Sequence, residues 1–325
     1  MQNDRVRVAV LDDWQGVAKQ SADWSKLQQQ ADVVFFEEPF AGPDKLTKAL
    51  GEFDIIIAMR ERTRFPKELI ERLPKLRMIA LTGGRTWTMD FDALNARGIV
   101  VSHTGGTHST AATAELSLGL LLSAARYIAR ADASVRKGGF QGGVPSGQVL
   151  EGKTLGVIGL GKIGSKMARY GHALGMRVLA WSPNMTAEKA AAAGAKLVDK
   201  TTLLSESDAI SLHMVLSERT SGIIGTQDLA RMKPGAILVN TSRGPLVDEA
   251  ALVERLRTGK LIAALDVYAQ EPMPSDHPLR SLPNTVLTPH LGYCTREVYS
   301  QFYGDSIENV LAFLGGTPMR VLKGP

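Results

Sequence analysis

Thr154-Leu155-Gly156-Val157-Ile158-Gly159-Leu160-Gly161-Lys162-Ile163-Gly164 decides how this chain of 325 residues is read. The first five residues form a short apolar run of strand character, and helix-compatible residues 165–174 follow the last glycine. A lone G-x-G-x-x-G carries little weight, whereas one that leaves a strand and opens a helix carries a mechanism. Gly159 permits the tight turn, Gly161 lets the backbone approach a pyrophosphate, and Gly164 lets helix and strand pack closely. The helix start adds unpaired N–H groups and a partial positive charge. Gly159, Gly161, Lys162, Ile163 and Gly164 are therefore the candidate phosphate-binding residues.

Outward from this loop, short apolar runs alternate with polar, helix-prone stretches, the pattern of strands joined by helices into a parallel sheet. Strands are predicted over 6–11, 33–36, 54–59, 78–81 and 99–102, forming one α/β unit. A long apolar helix over 111–131 and a Gly-rich loop over 138–147 separate it from a second unit. There the strands are predicted over 154–158, 177–181, 209–214, 237–240, 262–266 and 286–288, six in all. A final helix over 295–314 has no strand after it and is expected to return to the first unit.

At the end of the second strand after the loop, an acidic residue ordinarily binds the adenosine ribose. This chain has Trp181-Ser182-Pro183-Asn184 instead. Ser182 and Asn184 can bond a ribose hydroxyl without repelling a 2′-phosphate, yet no arginine stands there to attract one. NAD and NADP both stay open.

Three segments follow later strands of the same unit: 240–245, 265–272 and 288–292. They supply an arginine, a carboxylate and an imidazole, the parts needed to reduce a keto acid. Arg243 offers a planar fork that grips a carboxylate with two hydrogen bonds. His290 can exchange a proton with the reacting oxygen near neutral pH. Glu271, bonded to that imidazole, would orient the ring and favour its charged form.

Composition narrows the alternatives. A hydrophobic content of 44% over 325 residues is enough for two cores, and no uncharged apolar run of membrane-spanning length occurs. The formal charge of +5 suits anionic ligands, but basic residues are not clustered, which argues against nucleic acid. A single cysteine, Cys294, cannot form an intrachain disulfide, and Met1 leads into charged residues rather than a signal peptide, so a cytoplasmic location is expected. His103 and His108 lack further ligand residues, and no metal site is expected.

These segments resemble the D-isomer-specific 2-hydroxyacid dehydrogenase family: 152–164, 240–244, 265–272 and 288–292 stand in family order. The resemblance implies an α/β protein of two doubly wound parallel-sheet domains. A Rossmann-type cofactor domain, 101–289, would be inserted into a flavodoxin-like substrate domain made of 1–100 and 290–325, with closure on binding. It implies the catalytic roles above for Arg243, Glu271 and His290, and contact of Asp266 with the nicotinamide carboxamide. Thr110, His213, Thr220 and Thr241 would line the dinucleotide cleft. Arg60 and the backbone N–H groups of Gly83 and Gly84 would face a small anionic 2-keto or D-2-hydroxy acid, and the protein would be a homodimer.

Departures from the family pattern fall at Ser182, at 214–216, where a proline is missing after His213, and in loops 82–87 and 104–108. They leave the substrate side chain open, with Trp87 and Tyr293 as candidate pocket residues. The competing expectation is a dinucleotide-sensing, corepressor-like binding protein that does not turn substrate over.

Overall fold

The structure is a computed structural model describing residues 5–84, 86 and 88–322. It comprises two compact units, one made of the chain up to His108 and from Thr295 onward, the other of Ser109–Cys294. Both boundaries fall later than the 100 and 289 expected from sequence, so His290 belongs to the second unit.

In the first unit, β1 (Val6–Val10), β2 (Ala31–Phe35), β3 (Ile55–Ala58), β4 (Met78–Leu81) and β5 (Val100–His103) form a sheet. Its order is β2-β1-β3-β4-β5 and every pair is parallel, as in flavodoxin-like folds. β3 and β4 are buried along their whole length, which is why they read as continuous apolar runs. The closing helix, Arg296–Leu314, starts at Thr295, whose side chain accepts the Val298 N–H, and buries Phe302 and Tyr303 completely. It packs on β4 and β5, in the unit to which it was expected to return.

The second unit holds β6 (Thr154–Ile158), β7 (Arg177–Trp181), β8 (Lys196–Leu197), β9 (Ala209–Leu212), β10 (Ala236–Asn240), β11 (Leu261–Leu265) and β12 (Thr285–Leu287). The order β12-β11-β10-β9-β6-β7-β8 is the doubly wound arrangement with one strand added, and it reverses direction between β6 and β9. There are seven strands here rather than six, because β8 has two residues and is too short to show a pattern. The predicted single helix over 111–131 is also corrected. Helix Ser109–Arg126 stops at Tyr127, whose φ of 53° is left-handed and breaks the hydrogen-bond ladder, and a second helix, Ile128–Arg136, follows with no buried residue.

The register of this sheet positions the site. Ile158 pairs with Trp181 and Leu212, Leu212 with Asn240, Asn240 with Leu265, and Leu265 with Leu287. Six parallel strands thus end in one row, and the residues that follow them emerge along a single sheet edge. No helix among the described residues is long and apolar enough to cross a membrane.

Candidate active site

The glycine loop leaves this edge after β6. Gly159 has φ +89°, and a Cβ there would lie 2.5 Å from the His213 carbonyl oxygen. A Cβ on Gly164 would stand 2.0 Å from the Gly159 oxygen, so the helix can reach the turn only without a side chain. A Cβ on Gly161 would meet nothing within 4 Å, which leaves its backbone approachable. Gly161 is also the N-cap of helix Lys162–Ala173, and no side chain caps that helix start. An approachable glycine beside an uncapped helix N-terminus is a cradle that fits a dinucleotide pyrophosphate.

The Gly159 N–H donates to the Trp181 oxygen, which ties the loop to the end of β7, where Ser182 is half-buried and Asn184 exposed. His213 Nε2 lies 2.8 Å from the Ser211 hydroxyl, while its buried Nδ1 has no partner among the described residues. Burial pushes this imidazole down to about 3, so it is neutral at physiological pH. Two threonines are engaged within the protein. Thr241 shares a 2.6 Å hydrogen bond with Ser117, and Thr220 donates to the Val215 oxygen at 2.7 Å. Thr110 lies half-buried in the first turn of helix Ser109–Arg126.

Past β10, Asn240 shapes the loop that carries Arg243. Its side-chain oxygen accepts the Ser242 N–H at 3.0 Å, and its amide donates to the Arg243 oxygen at 2.9 Å. Arg243 Nη1 donates to the Ser242 oxygen at 2.6 Å, and the side chain is partly exposed. The next residue must be glycine, because a Cβ on Gly244 would fall 2.0 Å from the Tyr268 carbonyl carbon. The β10 and β11 loops therefore touch backbone to backbone.

Glu271, in the β11 loop, accepts the Tyr268 N–H on Oε1 at 2.9 Å, and its Oε2 lies 2.6 Å from His290 Nδ1. His290 follows β12 at φ 57°, a strained backbone for a non-glycine residue, and its N–H donates to the Asp266 oxygen at 2.8 Å. With Nδ1 engaged by the carboxylate, Nε2 is the nitrogen left to work on a ligand.

Asp266, expected to meet the nicotinamide carboxamide, is held by the loop that follows β12. It is 0% exposed, and its carboxylate accepts Thr288 Oγ1 at 2.6 Å, the Leu291 N–H at 2.7 Å and the Gly292 N–H at 2.8 Å. Burial raises its pKa and these bonds oppose the rise. What Asp266 visibly holds is the loop presenting His290.

The first unit brings two other candidates together. Arg60 follows β3 and Gly83 follows β4, strands paired in register at Ala58 and Leu81. A Cβ on Gly83 would come within 2.6 Å of Arg60 Nη1, so the guanidinium lies against this glycine. The Gly83 N–H donates to Thr104 Oγ1 at 2.8 Å, which corrects the expectation that it is available to a ligand. Gly84 has open space at its Cα. Trp87 lies outside the described residues. Tyr293 is buried with its ring edge-on to His290, centroids 5.9 Å apart, and Cys294 Sγ donates to the His290 oxygen at 3.6 Å.

Tyr268 went unremarked in the sequence. Its hydroxyl donates to the Thr288 oxygen at 2.9 Å, with the Leu265 oxygen sharing that proton at 3.3 Å, fastening the β11 loop to the β12 loop. Burial, followed by the charges of Asp266 and Glu271, pushes the phenol up and keeps it a donor. A tyrosine three residues past the end of a buried strand was the available signal.

Residues 118–292 match the family model described as D-isomer specific 2-hydroxyacid dehydrogenase, NAD binding domain. A D-3-phosphoglycerate dehydrogenase of Archaeoglobus fulgidus is 40% identical over 278 residues, 85% of this chain and 52% of that protein. A hydroxypyruvate reductase of Thermotoga maritima is 40% identical over 276 residues, covering 84% of this chain and 88% of its own length. The crystal structure of a phosphoglycerate oxidoreductase from Vibrio cholerae superposes with a TM-score of 0.91 at 35% identity, covering 96% of this chain and all of that one. The chain belongs to the D-isomer specific 2-hydroxyacid dehydrogenase family, and its second unit carries that family's NAD-binding domain. It spans about half the length of the Archaeoglobus fulgidus D-3-phosphoglycerate dehydrogenase.

Proposed function

We propose that this protein interconverts a small 2-keto acid and the corresponding D-2-hydroxy acid. The observation that carries the reading is the 2.6 Å pair of His290 and Glu271 on the sheet edge from which the glycine loop and Arg243 also emerge. The family membership and the named reductase and dehydrogenase relatives support it. They give no support to the sensor alternative.

In this reading Gly159, Gly161, Lys162, Ile163 and Gly164 hold the pyrophosphate of NAD, Ser182 and Asn184 meet the ribose, and Thr110, His213, Thr220 and Thr241 line the cofactor. Bound NAD supplies or accepts the hydride. Arg243 grips the substrate carboxylate with its planar fork, which fixes the reacting carbon. His290 holds a proton on Nε2, delivers it to the oxygen during reduction and recovers it in oxidation. Glu271 keeps the ring oriented and offsets the charge it carries when protonated. Asp266 acts through the loop it anchors. Arg60 and Gly84, carried by the first unit, are further candidates for meeting the acid.

With no carboxylate at Ser182 to repel a 2′-phosphate, NADP is the alternative cofactor in this reading. We propose a homodimer, consistent with the exposed apolar side chains of Ile128, Val135, Phe140 and Val149, and, on the single cysteine of the chain, a cytoplasmic location. The decisive assay follows nicotinamide absorbance with glyoxylate, hydroxypyruvate, pyruvate and bulkier keto acids, using NADH and NADPH. Oxidation with at least one acid is expected; none across the panel would abandon the reading. Sedimentation tests the dimer.

A further inference from the structure

Glu249 belongs to none of the three loops that carry Arg243, Glu271 and His290. It opens helix Glu249–Arg257, directly after the N-cap Asp248, where the helix dipole favours a carboxylate. Its Oε2 accepts the Ala269 N–H at 3.0 Å, and its Oε1 lies 3.1 Å from His277 Nε2. His277 is itself oriented, since its Nδ1 accepts the Leu279 N–H at 3.3 Å, which leaves the proton on Nε2 facing Glu249. Both side chains are about four-fifths shielded from solvent, with exposures of 19% and 22%.

The peptide that Glu249 grips is central to the site. One residue earlier, the Tyr268 N–H donates to Glu271 Oε1, and the other oxygen of Glu271 meets His290. Against the same backbone lies Gly244, with no room for a methyl group between them. A shift of the Tyr268–Ala269 peptide would therefore move Glu271 off the imidazole and alter the support of the residue next to Arg243.

We propose that Glu249, aimed by His277, is a positioning residue for this reaction: it clamps the Ala269 amide to a helix end and thereby aims Glu271 at His290. The inference rests on the function proposed above. Its own physical content is the clamp, which can be measured without turnover. A helix end provides a more rigid post than a loop, and misplacement by an ångström costs about 100-fold in rate.

The test compares Glu249→Ala and Glu249→Gln in the full chain. Glu249→Ala is expected to lower kcat about 10- to 100-fold. KM for the keto acid and the Kd of NADH, read by nicotinamide fluorescence, should stay near wild type. Hydrogen exchange at the Ala269 amide should accelerate. Glu249→Gln retains an oxygen acceptor and should restore most of kcat and of the amide protection. Unchanged kcat in Glu249→Ala, or equal losses in both variants, would overturn the proposal. If Glu249→Ala does not fold, His277→Ala carries the test, with a smaller loss of kcat and partial deprotection expected and no change in either contradicting the idea. Should the wild type turn over no keto acid, the function fails and exchange alone decides: undisturbed protection at Ala269 refutes the clamp, and faster exchange upholds it.

Discussion

His290 Nδ1 and Glu271 Oε2 stand 2.6 Å apart although nineteen residues separate them in the chain. The contact exists because β11 and β12 are parallel neighbours in register at Leu265 and Leu287, so their loops leave the sheet side by side. A charge-assisted bond of this length fixes one tautomer and one ring orientation. His290→Ala is expected to remove most turnover and leave the Kd of NADH nearly unchanged. Glu271→Gln, which keeps an oxygen but no charge, is expected to fall between that variant and wild type. Stopped-flow turnover with parallel fluorescence titration checks both; a wild-type kcat in His290→Ala would contradict the assignment.

Arg243 acts through geometry as well as charge. Arg243→Lys keeps the charge but replaces a planar fork with a point donor, and a loss of about 1.5–3 kcal/mol in transition-state binding is expected, roughly 10- to 150-fold in kcat/KM. Steady-state kinetics with the best keto acid measures it. Unaltered kcat and KM would remove Arg243 from the site.

Gly164→Ala places a methyl group 2.0 Å from the Gly159 oxygen, a backbone atom that cannot step aside cheaply. Overpacking of this kind costs about 1–3 kcal/mol. Loss of NADH binding should accompany a lower melting temperature, because the turn and the helix start are the same structure. Gly161→Ala, with open space around its Cβ, should fold as well as wild type and weaken only cofactor binding. Calorimetry on both variants separates these effects.

Asp12 is 2% exposed, and burial raises its carboxyl from 3.8 to about 6 despite the hydrogen bond from Thr63. The folded state therefore holds this proton more tightly than the unfolded chain. Stability from this group is present below about pH 4 and is lost as pH rises to about 6, on the order of 3 kcal/mol at full effect. Asp12→Asn tolerates the left-handed φ of 60° at this position and should gain stability over wild type as pH climbs through that window. Urea unfolding at pH 4.5 and pH 7.5 reads the difference, and a constant gap between the proteins would show that Asp12 does not titrate there.

Much of the frame was legible because its signals are local. β4, β6 and β7 match their predicted limits, since the interior of a buried parallel strand reads as an apolar run. The glycines could be assigned roles because each demand, a positive φ at Gly159 or a missing side chain at Gly164, is a property of the residue itself. Other features were not legible. Tyr127 carries no breaker residue type, yet its left-handed backbone divides the predicted helix. The donors from the next loop that surround the Asp266 carboxylate could not be read from the sequence. Gly83 was expected to offer an N–H that Thr104 already takes. Glu249 and His277, which share no motif, were not singled out at all.

From the amino-acid order alone came the alternation of strands and helices, the turn built for a pyrophosphate, and the inventory of an arginine, a carboxylate and an imidazole. These depend on side-chain type and spacing within a few residues. The folded arrangement decided which oxygen meets which nitrogen, because partners nineteen or more residues apart are matched by strand register and loop course, and those are settled only when the whole sheet packs.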